Sequence, residues 1–207
     1  DIIYEDNNII VVNKPSGLLS ISTEKETEKT LYKYISDYVK KSNKNAKIFV
    51  VHRLDKDTSG IVIFSKNQDF KNKLQQNWND EVIRNYYAVV EGILEKKSGT
   101  IKSYLKENSF HKTYSSNKGE LSITNYEVIK TNDLYSLLKV NIKTGKKNQI
   151  RVHLSDINHP IVGDKKYGSK IRAKRLMLCA YNVEFKNNSK YKFEIPYPEE
   201  FKKYIKA

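Results

Sequence analysis

At residues 52–60 the chain reads His52-Arg53-Leu54-Asp55-Lys56-Asp57-Thr58-Ser59-Gly60. This stretch lies between two apolar runs, 48–51 and 61–64, whose length and β-branched residues predict buried strands. The pattern therefore places an arginine and a carboxylate in a loop at the end of a buried sheet. A carboxylate held on a rigid scaffold can act as a nucleophile or as a general base.

The rest of the chain alternates strands with a few helices. Thr30 and Asn67 precede amphipathic segments as N-cap residues, and the second segment has Phe70, Leu74 and Trp78 spaced four apart. A third helix is predicted over 148–157, and a short helix is predicted after Pro198. Polar and glycine-containing connections in the middle third favour antiparallel hairpins. We expect an α+β fold with a large mixed, mainly antiparallel sheet flanked by helices and loops. Further strands are predicted at 9–12, 82–90, 101–105, 121–129, 134–143, 177–185 and 191–195.

No linker, repeat or low-complexity segment divides the chain, so we expect one domain over residues 1–207. No apolar run approaches the roughly 18 residues that a membrane span needs. Cys179 is the single cysteine, which excludes an intramolecular disulfide and a multi-cysteine zinc site. This cysteine usage suits a reducing compartment, and we expect a cytoplasmic protein.

The charge of the chain indicates its class of partner. Lys and Arg number 38 against 24 for Asp and Glu, a formal net charge of +14. A surface this basic attracts polyanions, because each neutralised phosphate releases condensed counterions. RNA or DNA is favoured over an anionic membrane. A lysine-rich composition that serves solubility alone is the remaining explanation.

Several segments together resemble the RluA-type RNA pseudouridine synthases. Residues 52–60 match that family's His-Arg-Leu-Asp-x-x-Thr-Ser-Gly signature at every specified position. Similar segments in the family's order along almost the whole chain make the resemblance more specific than one motif does. They are Asn13-Lys14-Pro15-Ser16-Gly17, Arg84-Asn85-Tyr86-Tyr87-Ala88-Val89-Val90-Glu91-Gly92, Thr144-Gly145-Lys146-Lys147-Asn148-Gln149-Ile150-Arg151-Val152-His153-Leu154 and residues 160–168.

The resemblance implies a pseudouridine synthase fold with a central RNA-binding cleft. The enzyme would isomerise uridine to pseudouridine within a stem-loop of ribosomal or transfer RNA, with Asp55 as the catalytic carboxylate. Asp55 could attack the sugar, attack the base or abstract the C2′ proton, and the sequence does not choose among these routes. The reaction is redox-neutral, so we expect no cofactor and no metal.

The resemblance also implies roles for other residues near Asp55. Tyr86 would lie against the flipped base, whereas Tyr87, its neighbour on a strand, would point to the opposite face and into the core. Arg151 would form a salt bridge with Asp55 and keep it ionised. Arg53 would occupy the space that the flipped base vacates and contact phosphates.

The basic residues near these motifs are candidates for binding the RNA backbone. His52 has two open roles, since it could order the loop by hydrogen bonding or contact the RNA. The other candidates are Lys14, Arg84, Lys146, Lys147, Lys165, Lys166, Arg172, Lys174 and Arg175.

The chain departs from the family pattern at three positions. Lys146 and Asn148 stand where the family usually has Arg and His, which puts the contacts around the active site in doubt because Lys offers no bidentate fork. Cys179 stands where a related segment has His, and we expect an inert buried thiol there. Many relatives carry an N-terminal S4-type RNA-binding domain; here the catalytic pattern begins at once. We therefore expect a catalytic domain without S4, acting as a monomer.

Two other functions remain open from the sequence. A non-catalytic RNA-binding module or assembly chaperone on the same fold would bind RNA without isomerising it. The simultaneous presence of Asp55, Tyr86 and Arg151 argues against that function. A basic DNA-binding protein is the third possibility, but the chain has no helix-turn-helix or zinc pattern.

Overall fold

The computed structural model describes residues 1–187 and 189–206. This part of the chain forms five α-helices: α1 (Leu31–Ser42), α2 (Gln68–Gln76), α3 (Trp78–Glu81), α4 (Gln149–Asp156) and α5 (Glu199–Ile205). The strands are β1 (Ile2–Glu5), β2 (Ile9–Lys14), β3 (Phe49–Val50), β4 (Ser59–Ser65), β5 (Ile83–Glu91), β6 (Ser98–Glu107), β7 (Thr113–Ser116), β8 (Glu120–Thr131), β9 (Tyr135–Ile142), β10 (Leu178–Asn187) and β11 (Ser189–Glu194).

All of these strands belong to one sheet. Its order is β1-β2-β4-β10-β5-β9-β8-β6-β7, with β3 pairing with β4 and β11 with β10. Within the described residues, β4 and β10 run parallel and the other neighbours run antiparallel. The prediction of an α+β fold with a large, mainly antiparallel sheet is confirmed.

Strand β2 is buried on both faces, which accounts for its unbroken apolar run at residues 9–12. Ile9 and Val11 join a core cluster that includes α2, while Ile10 and Val12 join another that includes α1. Successive side chains of a strand point to opposite faces, so each face of β2 packs under a different helix. Beyond β10, a third core cluster packs α4 and α5 against β5 and β9.

The predicted caps are present, but the second helix is shorter than the spacing of its apolar residues suggested. Thr30 accepts a hydrogen bond from the Lys33 amide, and Asn67 accepts from the amides of Asp69 and Phe70. The apolar residues spaced four apart between 70 and 78 predicted one helix. The chain instead leaves helical geometry at Asn77, and α3 begins at the next residue.

The parallel pairing of β4 with β10 depends on Gly60. Gly60 has φ +117° and lies opposite Ala180, whose backbone would clash with a Cβ at residue 60. Only glycine allows this close approach. The last residue of the 52–60 signature therefore brings the loop that carries Asp55 to the centre of the sheet.

Candidate active site

Asp55 lies in the loop between β3 and β4, and the turn after β2 holds this loop in place. Gly17 donates its amide proton to the Lys56 carbonyl at 2.9 Å, and Ser20 donates its hydroxyl to the Leu54 carbonyl at 2.7 Å. The carbonyls of the residues before and after Asp55 are thus fixed by a distant part of the chain. This clasp gives the carboxylate a rigid support.

Lys14 belongs to the same clasp, because its ammonium group is bound by the protein itself, whereas the sequence predicted a free cation for the RNA backbone. Its side chain is fully buried, and Nζ donates to the carbonyls of Pro15, Leu18 and Lys56 at 3.0, 2.7 and 2.9 Å. Burial lowers the pKa of Lys14 to about 8. A side chain enclosed by three carbonyls cannot reach a phosphate.

Two cavities meet at Asp55. The smaller, of about 330 Å³, is lined by Asp55, Tyr86 and Arg151 and extends to Trp78 and Arg84. The larger, of about 850 Å³, also reaches Asp55 and Arg151. We call the first the inner cavity and the second the basic cavity. The basic residues lining the second are Lys56, Lys147, Arg151, Lys165, Lys166, Lys174 and Arg175.

Tyr86 projects from β5 into the inner cavity, as the resemblance implied. Burial raises the pKa of Tyr86 to about 12, and the charge of Asp55 adds to the increase. The phenol is therefore protonated at neutral pH. Tyr87 projects the other way and stacks on Tyr181, with ring centroids 3.7 Å apart. The predicted division of this Tyr pair between cavity and core is confirmed.

Arg151 does reach the inner cavity, but its salt bridge is with Asp164 and not with Asp55. Nε and Nη2 each donate to one oxygen of Asp164 at 2.7 Å, and both side chains are buried. Burial by itself lowers the pKa of Arg151, whereas the bonds to Asp164 and the charge of Asp55 leave it raised. Asp164 supplies the counter-charge of Arg151 through a bidentate pair that engages Nε and Nη2. The predicted Arg151–Asp55 pair is wrong.

The direct partner of Asp55 is Asn148. Nδ2 of Asn148 donates to Oδ2 of Asp55 at 2.5 Å, and Oδ1 of Asn148 accepts the Tyr167 hydroxyl at 3.1 Å. Asn148 has φ +53°, a left-handed conformation that Asn tolerates better than most residues. It precedes α4, so the helix start and the carboxylate are joined by one side chain. The sequence showed only that this position departs from the family pattern.

His52 forms part of the wall of the inner cavity. Its Nε2 accepts the Ile63 amide proton at 3.1 Å, and its ring stacks on Trp78 at a centroid distance of 4.7 Å. Burial lowers the pKa of His52 to about 3, and the nearby Arg84 charge acts in the same direction. A neutral, accepting imidazole is the form that orders this loop against β4.

Proteins of one known family resemble this chain in sequence. The family model described as RNA pseudouridylate synthase matches residues 8–156. A ribosomal large subunit pseudouridine synthase D from Borreliella burgdorferi is 36% identical over 214 residues, covering 97% of this chain and 66% of the relative. The uncharacterized RNA pseudouridine synthase YhcT from Bacillus subtilis is 35% identical over 173 residues, covering 81% of this chain and 57% of the relative.

This chain belongs to the RNA pseudouridylate synthase family. It spans less than two thirds of the length of either relative. The solved structure of human RNA pseudouridylate synthase domain containing 4 matches with a TM-score of 0.83 at 22% identity, covering 97% of this chain and 89% of the human one. That likeness shows the fold, and it confirms the predicted pseudouridine synthase architecture.

The other basic residues predicted for this RNA pseudouridylate synthase family member differ in exposure. Arg53 is exposed, and among the described residues no carboxylate lies within 4.0 Å of its guanidinium. Arg84 is buried in the wall of the inner cavity. Lys146 and Lys147 form ion pairs with Glu120 and Glu107 at 2.6 and 2.9 Å.

Two residues of the site were not predicted to act there. Asp164 was noted only as part of a loop, and Asn148 only as a departure from the family. Their partners lie 13 and 93 positions away in the chain. Among residues 1–187 and 189–206, no three His, Cys, Asp or Glu side chains are grouped so as to hold a metal ion. No helix of this part of the chain is long and apolar enough to cross a membrane.

Proposed function

We propose that this protein isomerises specific uridines in structured RNA to pseudouridine, with Asp55 as the catalytic carboxylate. The observation that carries this proposal is the position of Asp55 where the two cavities meet. One cavity has an aromatic wall at Tyr86, and the other has a basic lining. A flipped nucleotide needs such a pair of sites, one for its base and one for its backbone.

In this proposal the uracil ring enters the inner cavity and lies against Tyr86. The sugar then comes to Asp55 at the boundary of the two cavities. The C1′–N1 bond breaks, the ring turns, and C5 bonds to C1′. Asp55 attacks the sugar, attacks the base or abstracts the C2′ proton; each route needs an ionised carboxylate. Asn148 holds one oxygen of that carboxylate, and the Arg151 guanidinium, positioned by Asp164, is the positive charge close by.

Arg53 is proposed to take the place of the flipped base. Its exposed guanidinium lies two residues before Asp55 and lines the mouth of the inner cavity. A planar cation of this size can stack on neighbouring bases and donate to phosphates. Lys147, Lys165, Lys166 and Lys174 are proposed to bind the backbone through the basic cavity.

Ribosomal RNA is the preferred substrate class in this proposal, and transfer RNA is the alternative. One relative with 36% identity is named a ribosomal large subunit pseudouridine synthase, and stem-loops offer unstacked uridines in both RNA classes. We further propose that residues 1–207 form one catalytic domain, that the protein is a monomer, and that it acts in the cytoplasm.

Tritium release from RNA labelled with 5-tritiated uridine tests this function. Transcripts of large-subunit ribosomal RNA and a pool of transfer RNA transcripts are incubated separately with the purified protein. We expect release from one class, limited to about one or a few uridines per molecule. Tight RNA binding without release from either class would show a binding module and not an enzyme.

A further inference from the structure

Arg84 is a buried cation without a partner of opposite charge. Its side chain is 5% exposed, and within the described residues no carboxylate oxygen lies within 4.0 Å of its guanidinium. Buried charges are normally paired, because an isolated one loses its hydration without compensation. An unpaired guanidinium in the wall of a cavity indicates that a bound ligand supplies the missing acceptor.

The hydrogen bonds of Arg84 are also incomplete. Nη2 donates to Asn79 Oδ1 at 3.1 Å and to the Lys143 carbonyl at 3.4 Å, while Nε is buried and has no partner in the described structure. The guanidinium also lies 5.8 Å from the centroid of the Trp78 ring. The fork is thus anchored through one nitrogen and retains donors for a bound molecule.

The position of Arg84 identifies which part of an RNA reaches it. Arg84 and Tyr86 are two residues apart on β5, so both side chains project from the same face into the inner cavity. A phosphodiester remains joined to the strand on both sides and suits the exposed lysines of the basic cavity. A flipped base is the part of an RNA that can enter the inner cavity and contact both Arg84 in its wall and the aromatic ring of Tyr86.

We propose that Arg84 binds a carbonyl oxygen of the target uracil and stabilises the negative charge that the ring acquires during isomerisation. This inference rests on the proposed function. When C1′–N1 breaks, the bonding electron pair stays on N1 and is shared with O2 and O4. Later C5 forms its bond to C1′ and loses its hydrogen as a proton, and N1 takes up a proton. No electrons are gained or lost overall.

A fixed cation beside the ring lowers the barrier because it acts where charge develops. Removing one such donor from other enzymes costs about 100- to 1000-fold in rate. The unpaired charge of Arg84 should also lower the free energy of unfolding, because a buried charge loses its hydration without compensation. An apolar side chain of similar size should therefore leave the stability unchanged or increase it. A residue kept for packing alone would show the opposite effect.

The test compares the wild-type protein with Arg84→Met and Arg84→Lys on the RNA transcript from which the wild type releases tritium. Single-turnover release is measured at saturating protein, RNA affinity is measured at several salt concentrations, and stability is measured by urea unfolding. We expect Arg84→Met to release tritium about 100-fold more slowly, with wild-type RNA affinity, wild-type salt dependence and an unchanged or higher urea midpoint. Arg84→Lys should recover part of the rate because it restores the charge.

Three results would overturn the inference. If Arg84→Met keeps the wild-type rate at saturating protein, but its slope of log affinity against log salt is reduced by about 0.7 to 0.9, Arg84 binds a phosphate. A lower urea midpoint together with a rate equally low in Arg84→Lys would assign it to packing. A wild-type rate with wild-type affinity would leave it no role in the reaction. If the wild-type protein itself releases no tritium from any RNA, the proposed function fails, and this inference fails with it.

Discussion

Asn148 controls the orientation of the Asp55 carboxylate through a single hydrogen bond. A hydrogen bond to a charged group contributes about 1.5 to 3 kcal/mol, so Asn148→Ala should slow tritium release about 10- to 100-fold. Asn148→Asp is the sharper variant, because two carboxylates this close share one proton up to a higher pH. Its release rate should therefore rise between pH 6 and pH 9 more steeply than that of the wild type. Identical pH profiles would show that Asn148 does not act on Asp55.

His52 makes the folded state sensitive to acid. Its pKa is about 3 in the fold, against an ordinary value of 6.5, because burial disfavours the imidazolium. Between those two values the unfolded chain binds a proton that the native protein does not, so the free energy of unfolding decreases as the pH falls. Urea unfolding at pH 7.5 and pH 4.5 should show a smaller decrease for His52→Gln than for the wild type. His111→Gln, at an exposed position where the imidazole pairs with Glu107, is the control and should not make the decrease smaller.

The start of α4 depends on an ion pair with the loop that follows it. Asp164→Ala leaves the buried Arg151 guanidinium without its counter-charge, which should lower the free energy of unfolding by about 3 to 5 kcal/mol. The double variant Arg151→Met with Asp164→Leu should recover most of that loss, because it removes both charges. Urea denaturation gives the free energy of unfolding of the wild type, Asp164→Ala and the double variant. A double variant no more stable than Asp164→Ala would mean that the two charges are not coupled.

Most elements of this fold could be predicted from local sequence patterns, but strands β1 and β7 and the contacts of the site were not. Thr30 and Asn67 cap the helices they precede, and the apolar runs become strands within a few residues of the predicted bounds. These are local properties. The acidic partner of Arg151 is not a local property, because spacing along the chain does not show that the loop after α4 brings Asp164 within reach. The resemblance selected Asp55, and the geometry selects Asp164.

Burial of charged side chains could not be predicted from the sequence. Lys14 and Arg84 look like surface cations in the sequence, because lysine and arginine are seldom buried. Lys14 is buried since three backbone carbonyls surround it, and Arg84 is buried in the wall of the inner cavity. A residue's neighbours in the sequence do not show that a turn 42 positions away closes over it. Asp55, Tyr86 and Arg151 were all correctly predicted to lie around one cavity.

At the scale of the whole molecule, the net charge of +14 predicts strongly salt-dependent RNA binding. Lys165→Gln with Lys174→Gln removes two exposed charges from the basic cavity. RNA affinity should fall, and the slope of log affinity against log salt should decrease by about 0.7 to 0.9 for each phosphate that the variant no longer neutralises. The rate at saturating protein should stay near that of the wild type. Lys40→Gln with Lys41→Gln, two exposed lysines of α1, should leave the slope much closer to wild type. Equal slopes for both pairs would mean that the basic cavity is not the RNA site.

The central claim is that Asp55 performs the chemistry, and the chain contains a matched control for it. Asp57 is the same residue type two positions away in the same loop, and it is exposed. Asp55→Asn and Asp57→Asn are compared with the wild type for tritium release from 5-tritiated uridine in the RNA that the wild type modifies. We expect Asp55→Asn to bind this RNA with near wild-type affinity and to release no tritium, while Asp57→Asn releases it at close to the wild-type rate. Release from Asp55→Asn at the wild-type rate would contradict the catalytic role of Asp55.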